Sequence, residues 1–351
     1  MKNYLILLWL FAIGCKSAES PSGTPAPPVT PVDTVGTFKN PILSPAPDPW
    51  VIHKDGFYYV MHTTATNLRI YKTRSISRLS AATPVTVWIP PATGPNARNI
   101  WAPELHHIDG KWYIYYTADN GVDGAHRMFV LENAAADPTT GTWIDRGQLN
   151  LPDNKWAIDG TVVRLNGQLL YAWSGWENDL DRTQNIYVCK LTNPYTAEGP
   201  RVRVSAPELT WEKEGFGVNE GPQFLVHGGK VFIIYSASFC GTDQYALGQL
   251  SADTTANLVA PTSWTKSPNP VFGPYASGTA YGVGHNSFFT TPGPAGSLEY
   301  WLVYHANPAP GQGCADFRSA RMQPFGWKPD GSPDFGSPVS LNEYIKRPSG
   351  D

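Results

Sequence analysis

Three acids stand at matching places in a recurring pattern. Four aromatic, strand-like runs open on a turn glycine: GFYYVMHTT (56–64), GKWYIYYTA (110–118), GQLLYAWSG (167–175) and GKVFIIYSA (229–237). Counting eight residues back from Gly56, Gly110, Gly167 and Gly228 gives Asp48, Ala102, Asp159 and Glu220. A fifth run, SLEYWLVYHA (297–306), has a different turn, and His285 holds the comparable place before it. Glu220 heads an otherwise apolar stretch, VNEGPQFLVHGGKVFIIYSAS (218–238), although an unpaired carboxylate is rarely buried.

Carboxylates gathered from distant parts of a chain repel one another, and the repulsion pushes one pKa up. A raised Glu pKa is what a general acid needs near neutral pH. Cleavage of a glycosidic bond uses such a pair: a protonated carboxyl at the leaving oxygen and an ionised carboxylate as base or nucleophile. A third acid can raise the pKa of the first and orient it. Singly, each has an ordinary explanation, since Asp48-Pro49 and Asp159-Gly160 are common turn pairs and Asn219-Glu220-Gly221 is a plausible cap. The shared place in the repeat singles them out.

The elements that must position these residues are hairpins. Just before each aromatic run lies a second strand-like run: DPWVIHKD, APELHHID, DGTVVRLN, EGPQFLVHG and HNSFFTTPGP. Further strand patterns follow, such as RMFVLEN (127–133) and NIYVCKL (185–191), and long amphipathic helical patterns are absent. Corresponding positions recur every ~50–70 residues, room for a four-stranded antiparallel unit. The expected fold is all-β, a five-bladed β-propeller; a β-sandwich is the competing architecture. In a propeller the first strand of each blade lines the central channel, so the five counted positions meet at one mouth.

Composition narrows the function further. The chain has 351 residues, 41% hydrophobic, with 13 Trp, 17 Tyr and 14 Phe, enough for a large core. Net charge is −3 and no basic stripe is visible, so nucleic acid is excluded as a partner. Lys2 followed by an apolar run over residues 4–13 has the shape of a signal peptide, too short to span a membrane as a mature helix. Ala12-Ile13-Gly14-Cys15 resembles a bacterial lipoprotein box, which implies cleavage before Cys15 and lipidation of its thiol. Five prolines within residues 21–31 mark an extended tether. The expected organisation is a leader (1–14), a lipidated Cys15 with a Pro/Ser/Thr-rich tether (15–37) and a catalytic propeller (38–351). Cys240 and Cys314 both sit in loop-like contexts, and an oxidising compartment would allow them to pair. His53, His62, His106 and His107 lie in strand patterns without a ligand constellation, and no CxxC suggests zinc.

At these motifs the sequence resembles glycoside hydrolase family 43, in particular its α-L-arabinofuranosidase-like members. The matching pieces are PAPDPWVIHKDGFYYVMHT (45–63), NIWAPELHHIDGKWYIYYTA (99–118), AIDGTVVRLNGQLLYAWSG (157–175), VNEGPQFLVHGGKVFIIYSA (218–237) and GVGHNSFF (282–289). The resemblance implies a five-bladed propeller that inverts the anomeric centre. It assigns Asp48 as general base, Glu220 as general acid, and Asp159 as the residue that raises and orients Glu220. It matches His285 to an axial histidine that in some members contacts a metal or water, so a structural calcium there is optional and no cofactor is required. Arg318, with Arg321 as its rival, matches an arginine facing the sugar. Trp101, beside the mouth position Ala102, is expected to stack on a sugar, with Trp50, Trp173 and Trp176 as further candidates. Glu104 is expected deeper in the channel, in a structural role. An inverting pair stands roughly 6.5–9.5 Å apart, the separation expected for Asp48 and Glu220.

The same resemblance implies an exo-acting α-L-arabinofuranosidase on arabinan or arabinose-decorated plant polysaccharide. HRMFVLE (126–132) and RSARMQPFGW (318–327) look most like such members. Endo-arabinanase and β-xylosidase are the alternatives on this scaffold. The latter is disfavoured because xylosidase-type members generally carry an added C-terminal β-sandwich, for which this sequence is expected to have no room. A non-catalytic carbohydrate-binding propeller is the alternative of another class, and it would be expected to lack one of the three acids. The expected partners are an arabinose-containing saccharide and, through the lipid anchor, the membrane of a cell envelope; a monomer is expected.

Overall fold

Four hairpin turns share one backbone solution. Asp55-Gly56, Asp109-Gly110, Asn166-Gly167 and Gly228-Gly229 all have positive φ at both residues, the mirror-image turn whose twist matches that of paired strands. This is the punctuation visible in the sequence. The computed structural model describes residues 35–351; the leader, Cys15 and nearly all of the tether lie outside the described residues.

Five four-stranded antiparallel sheets follow, each with its strands paired in sequence order. After β1 (Thr37–Phe38), blade 1 comprises β2 (Trp50–Lys54), β3 (Phe57–Met61), β4 (Leu68–Thr73) and β5 (Val85–Trp88). Blade 2 is β6 (Arg98–Ile108), β7 (Lys111–Asp119), β8 (Arg127–Asn133) and β9 (Ile144–Gln148). Blade 3 is β10 (Ala157–Leu165), β11 (Gln168–Trp176), β12 (Gln184–Asn193) and β13 (Thr196–Ser205). Blade 4 is β14 (Asn219–His227), β15 (Lys230–Ala237), β16 (Ala246–Asp253) and β17 (Thr265–Lys266). Blade 5 is β18 (Tyr281–Pro292), β19 (Leu298–Asn307), β20 (Ser319–Trp327) and β21 (Pro333–Asp334), and β22 (Ile345–Lys346) pairs with β1. The architecture is a five-bladed β-propeller. First strands touch their neighbours in cyclic order, with β18 against β2 closing the ring.

The aromatic runs are second strands, and they face the adjacent blades. Five apolar clusters fill the five blade junctions. Tyr58 and Val60 pack with Trp301 and Val303 between blades 1 and 5, and Tyr59 packs with Trp112 and Tyr116 between blades 1 and 2. Tyr115 and Tyr171 pack between blades 2 and 3, Leu170 and Ile233 between 3 and 4, and Phe232 and Tyr304 between 4 and 5. Both faces of each second strand are buried, so β7, β11 and β15 read as continuous apolar runs rather than alternating ones. Each fully buried aromatic contributes roughly 1.5–3 kcal/mol.

Candidate active site

The mouth is built by one backbone irregularity repeated around the ring. In β6, β10, β14 and β18 the pairing with the second strand slips after Trp101, Ile158, Glu220 and Gly284. Such a bulge bends the strand and re-aims a side chain. The next residue takes the left-handed conformation: Ala102 at φ 40°, Asp159 at 56°, Gly221 at 53° and His285 at 48°, with Asp48 at 55° in blade 1. In four cases its N–H is held by the preceding blade. Thr63 accepts from Ala102, Thr117 from Asp159, Ser236 from His285, and His305 Nδ1 from Asp48. The four non-glycine positions are thereby locked to their neighbours around the axis.

Glu220 departs from this ring, which corrects the register read from the sequence. Its structural equivalents are Trp101 and Ile158, the residues just before the left-handed position: Trp101 pairs with Thr117, Ile158 with Ser174 and Glu220 with Ser236. Gly221 is the true counterpart of Asp48 and Asp159. The count slipped because the fourth turn is Gly228-Gly229, and its second glycine corresponds to Gly56, Gly110 and Gly167. Asp48 and Asp159 therefore project from one level of the mouth and Glu220 from the adjoining one. The vacancy left by Gly221 is used: its N–H donates to Asp159 Oδ2 at 3.1 Å, and a Cβ there would lie 3.2 Å from His285 Nδ1.

Asp48 is held as a carboxylate. Burial alone would raise its pKa, but the Arg318 guanidinium above all holds it well below the usual carboxylate range. Arg318 Nη1 lies 2.9 Å from Oδ1, and the Nδ1 atoms of His285 and His305 each lie 3.4 Å from it. None of these three contacts uses Oδ2. His305 Nδ1 accepts the Asp48 N–H at 3.1 Å, so the imidazole proton sits on Nε2; burial also drives the His305 pKa down to about 4.

Glu220 is tuned the opposite way. Burial pushes it up to about 7; Asp48 adds to the rise, while a hydrogen bond from Tyr245 and the charge of Arg318 oppose it. The Tyr245 hydroxyl donates to Oε1 at 2.8 Å. Tyr245 reaches it across Gly284, where a Cβ would lie 2.2 Å from the ring. Asp159 is raised well above its ordinary value, first by burial, then by Glu220 and Asp48. Asp159 and Glu220 interact too strongly to titrate independently.

All three acids line one cavity of about 740 Å³. Two carboxyl groups with pKa values driven apart in one small mouth are suited to acid–base chemistry. The family model described as Glycosyl hydrolases family 43 matches residues 38–333. The chain belongs to that family. It is 40% identical over 327 residues to an extracellular exo-alpha-(1->5)-L-arabinofuranosidase of Streptomyces avermitilis, covering 91% of this chain and 67% of that protein. A protein of the same description from Streptomyces chartreusis is 38% identical, covering 77% of this chain and 82% of its own length. Alpha-L-arabinofuranosidase 43 of Humicola insolens is 36% identical, and here the match spans 64% of the relative. The crystal structure of an alpha-L-arabinofuranosidase from Lactobacillus brevis superposes with a TM-score of 0.81 at 35% identity, covering 87% of this chain and 98% of that one.

The remaining expected residues of this family-43 glycoside hydrolase divide clearly. Trp101, His285 and Arg318 line the cavity, and Trp101 stacks on His126 at 4.2 Å. Trp173 does not line it. It is 2% exposed and packs with Tyr171 and Tyr187 between blades 2 and 3, so it has no face for a sugar. Trp50 is also turned away, its ring packed at a tilt against His106 and its indole N–H donating to the Leu105 carbonyl. Trp176 stacks on Trp156 at 4.5 Å, and it is Trp156, one layer in, that lines the cavity. Arg321 is fully buried and donates to the Thr279 carbonyl. Glu104 lies buried among His106 and Gln223. Cys240 and Cys314 form a disulfide, and both line the cavity. Among the described residues no group of three or more His, Cys, Asp or Glu side chains is arranged to hold a metal ion, so His285 would supply a lone imidazole to an axial calcium.

Sequence reading missed His305, Tyr245, Trp156, Ile158 and Phe239 at this mouth. For His305 a signal was present. Thr63, Thr117, Ser174 and Ser236 each stand seven residues after the second turn residue, and His305 takes that place in the fifth run.

Proposed function

We propose that the protein is an inverting, exo-acting α-L-arabinofuranosidase that releases arabinose from arabinan or arabinose-decorated polysaccharide. The observation that carries the mechanism is the opposite tuning of Asp48 and Glu220 within one cavity. The substrate is supported by the names of relatives 36–40% identical to this chain.

Asp48 Oδ2 takes a proton from a water as that water attacks the anomeric carbon. Glu220, protonated at Oε2 while Oε1 is held by Tyr245, gives its proton to the departing glycosidic oxygen. The sugar leaves with inverted configuration, and both carboxyls return to their starting states by exchange with solvent. Asp159 holds the backbone directly after Glu220 by accepting from the Gly221 N–H. Trp101 offers an indole face to the sugar ring, and Arg318 orients Asp48 and the sugar hydroxyls beside it. A calcium bound near His285 would be structural.

The propeller is further proposed to be anchored to the envelope through a lipid on Cys15, with residues 1–14 removed and residues 15–37 as tether. The lipoprotein-like Ala12-Ile13-Gly14-Cys15 supports this, and relatives carry the description extracellular. A Cys15→Ala chain is expected in the soluble fraction rather than the membrane fraction; retention in the membrane would overturn the anchor.

The decisive experiment is hydrolysis of an aryl α-L-arabinofuranoside beside an aryl β-D-xyloside, then arabinan, with the product anomer read by NMR. Release of arabinose alone from arabinan, first appearing as the inverted anomer and abolished by Glu220→Gln, is the expected result. Preference for the xyloside would keep the mechanism and overturn the substrate. Retention of configuration would overturn Asp48 as base.

A further inference from the structure

We infer that the Cys240–Cys314 disulfide is a positioning device for Asp48, acting through Arg318. This rests on the proposed role of Asp48 as base.

Cys240 follows β15 in blade 4, and Cys314 lies between β19 and β20 in blade 5; 74 residues separate them, and their Cα atoms are 5.3 Å apart. The bond therefore staples the rims of two neighbouring blades at the cavity wall. Cys314 is also the residue whose carbonyl accepts Arg318 Nη2 at 2.9 Å, while Nη1 of the same guanidinium bonds Asp48 Oδ1 at 2.9 Å. A guanidinium is a rigid planar fork. Fixing one prong on a covalently anchored carbonyl fixes the other on Asp48.

The segment that carries this carbonyl is tied at its far end, where the Ala46 N–H donates to the Arg318 carbonyl at 2.9 Å, and is held more sparsely before that. Residues 308–318 contain no strand, Gly311 and Gly313 have positive φ, and Phe317 is 55% exposed. The segment meets the neighbouring blade and β19 through Gly311 N–H to Asp243, Asn307 to the Gly313 carbonyl, and Gly313 against the Gly241 backbone. Two of these three partners, Gly241 and Asp243, lie just after Cys240 in the chain. The staple and the hydrogen bonds thus fasten the same pair of loops, and the staple is the part that thermal motion cannot open.

The consequence is electrostatic. An opposite charge within a few ångströms lowers a carboxylate pKa by about 1–3 units, whereas burial raises it. If Arg318 drifts, burial prevails and Asp48 takes up a proton in mild acid. The test is the pH profile of kcat/KM between pH 4 and 8 on an aryl α-L-arabinofuranoside. It compares the oxidised protein, the same folded protein held under excess phosphine reductant, and a Cys240→Ser/Cys314→Ser double variant. Asp48→Asn and Arg318→Lys are measured alongside. The acid limb is expected to move up by about 1 pH unit or more on breaking the bond, in the direction that Arg318→Lys also moves it. A purely structural staple would lower the whole profile through loss of folded protein and leave the limb where it was; that result overturns the inference. If the double variant fails to fold, the reduced protein, which never has to refold, decides the matter. Activity surviving Asp48→Asn would mean that the base assignment itself is wrong. An inactive Asp48→Asn with an unmoved limb would remove only the role of the disulfide.

Discussion

At the mouth, the pKa values of Asp48 and Glu220 are set apart by different neighbours rather than by different burial, since both are enclosed. Asp48 has the Arg318 charge on Oδ1; Glu220 has one neutral hydroxyl. The proposed reaction requires Asp48 ionised and Glu220 protonated. Asp48 lies well below the usual carboxylate range, and Glu220 sits at about 7, so kcat/KM should be level through mild acid and fall about tenfold per pH unit above 7. Tyr245→Phe removes a hydrogen bond that favours the ionised form of Glu220, so the alkaline limb should move to higher pH; a limb that stays or moves down would contradict this account. Glu220→Gln should cost about 10²–10⁴ in kcat on arabinan, within the range of general acid catalysis. An aryl substrate with a good leaving group needs less protonation and should lose less. Asp48→Asn should suppress both substrates alike, because the base acts on water whatever leaves.

At the scale of the strand, the same aromatic type does two jobs, and its place in the register decides which. Trp101 stands just before the left-handed residue of β6 and faces the cavity, whereas Trp173 lies within β11 and faces the next blade. Trp173→Ala should therefore cost about 3–5 kcal/mol of stability, seen as a lower denaturation midpoint, with KM little changed in the molecules that remain folded. Trp101→Ala should do the reverse, raising KM with a small change in midpoint. The hairpins, their number and the mouth position in every blade but the fourth were legible in the sequence, because Asp-Gly and Asn-Gly turns and aromatic second strands are local signals. Pairing register across a Gly-Gly turn is not local. Either glycine of Gly228-Gly229 could have been aligned with Gly56, and only the Glu220–Ser236 pairing shows which. Trp50 and Trp173 were misplaced for a related reason. Composition marks a residue as aromatic, but only the facing blade determines whether its ring is covered.

Over the whole ring, the first and last strands are joined, β1 with β22, and Phe38 lies 6.4 Å from Trp301 of blade 5. Phe38→Ala should lower the denaturation midpoint by weakening the junction of blades 5 and 1, to which the Asp48 contacts belong. Activity should fall at temperatures below that of global unfolding; parallel loss of both would show that the junction has no local opening of its own.

Asp48 belongs to the first blade, but each side chain gathered on its Oδ1 belongs to the fifth: His285, His305 and Arg318. A ribosome releases those residues more than two hundred positions after the acid they control. Until then the growing chain carries Asp48 without the side chains that offset its burial in the folded mouth. Under the proposed mechanism hydrolytic competence thus arrives late in synthesis, and a chain terminated before residue 285 would hold all three acids and lack every side chain that gathers on Asp48 Oδ1.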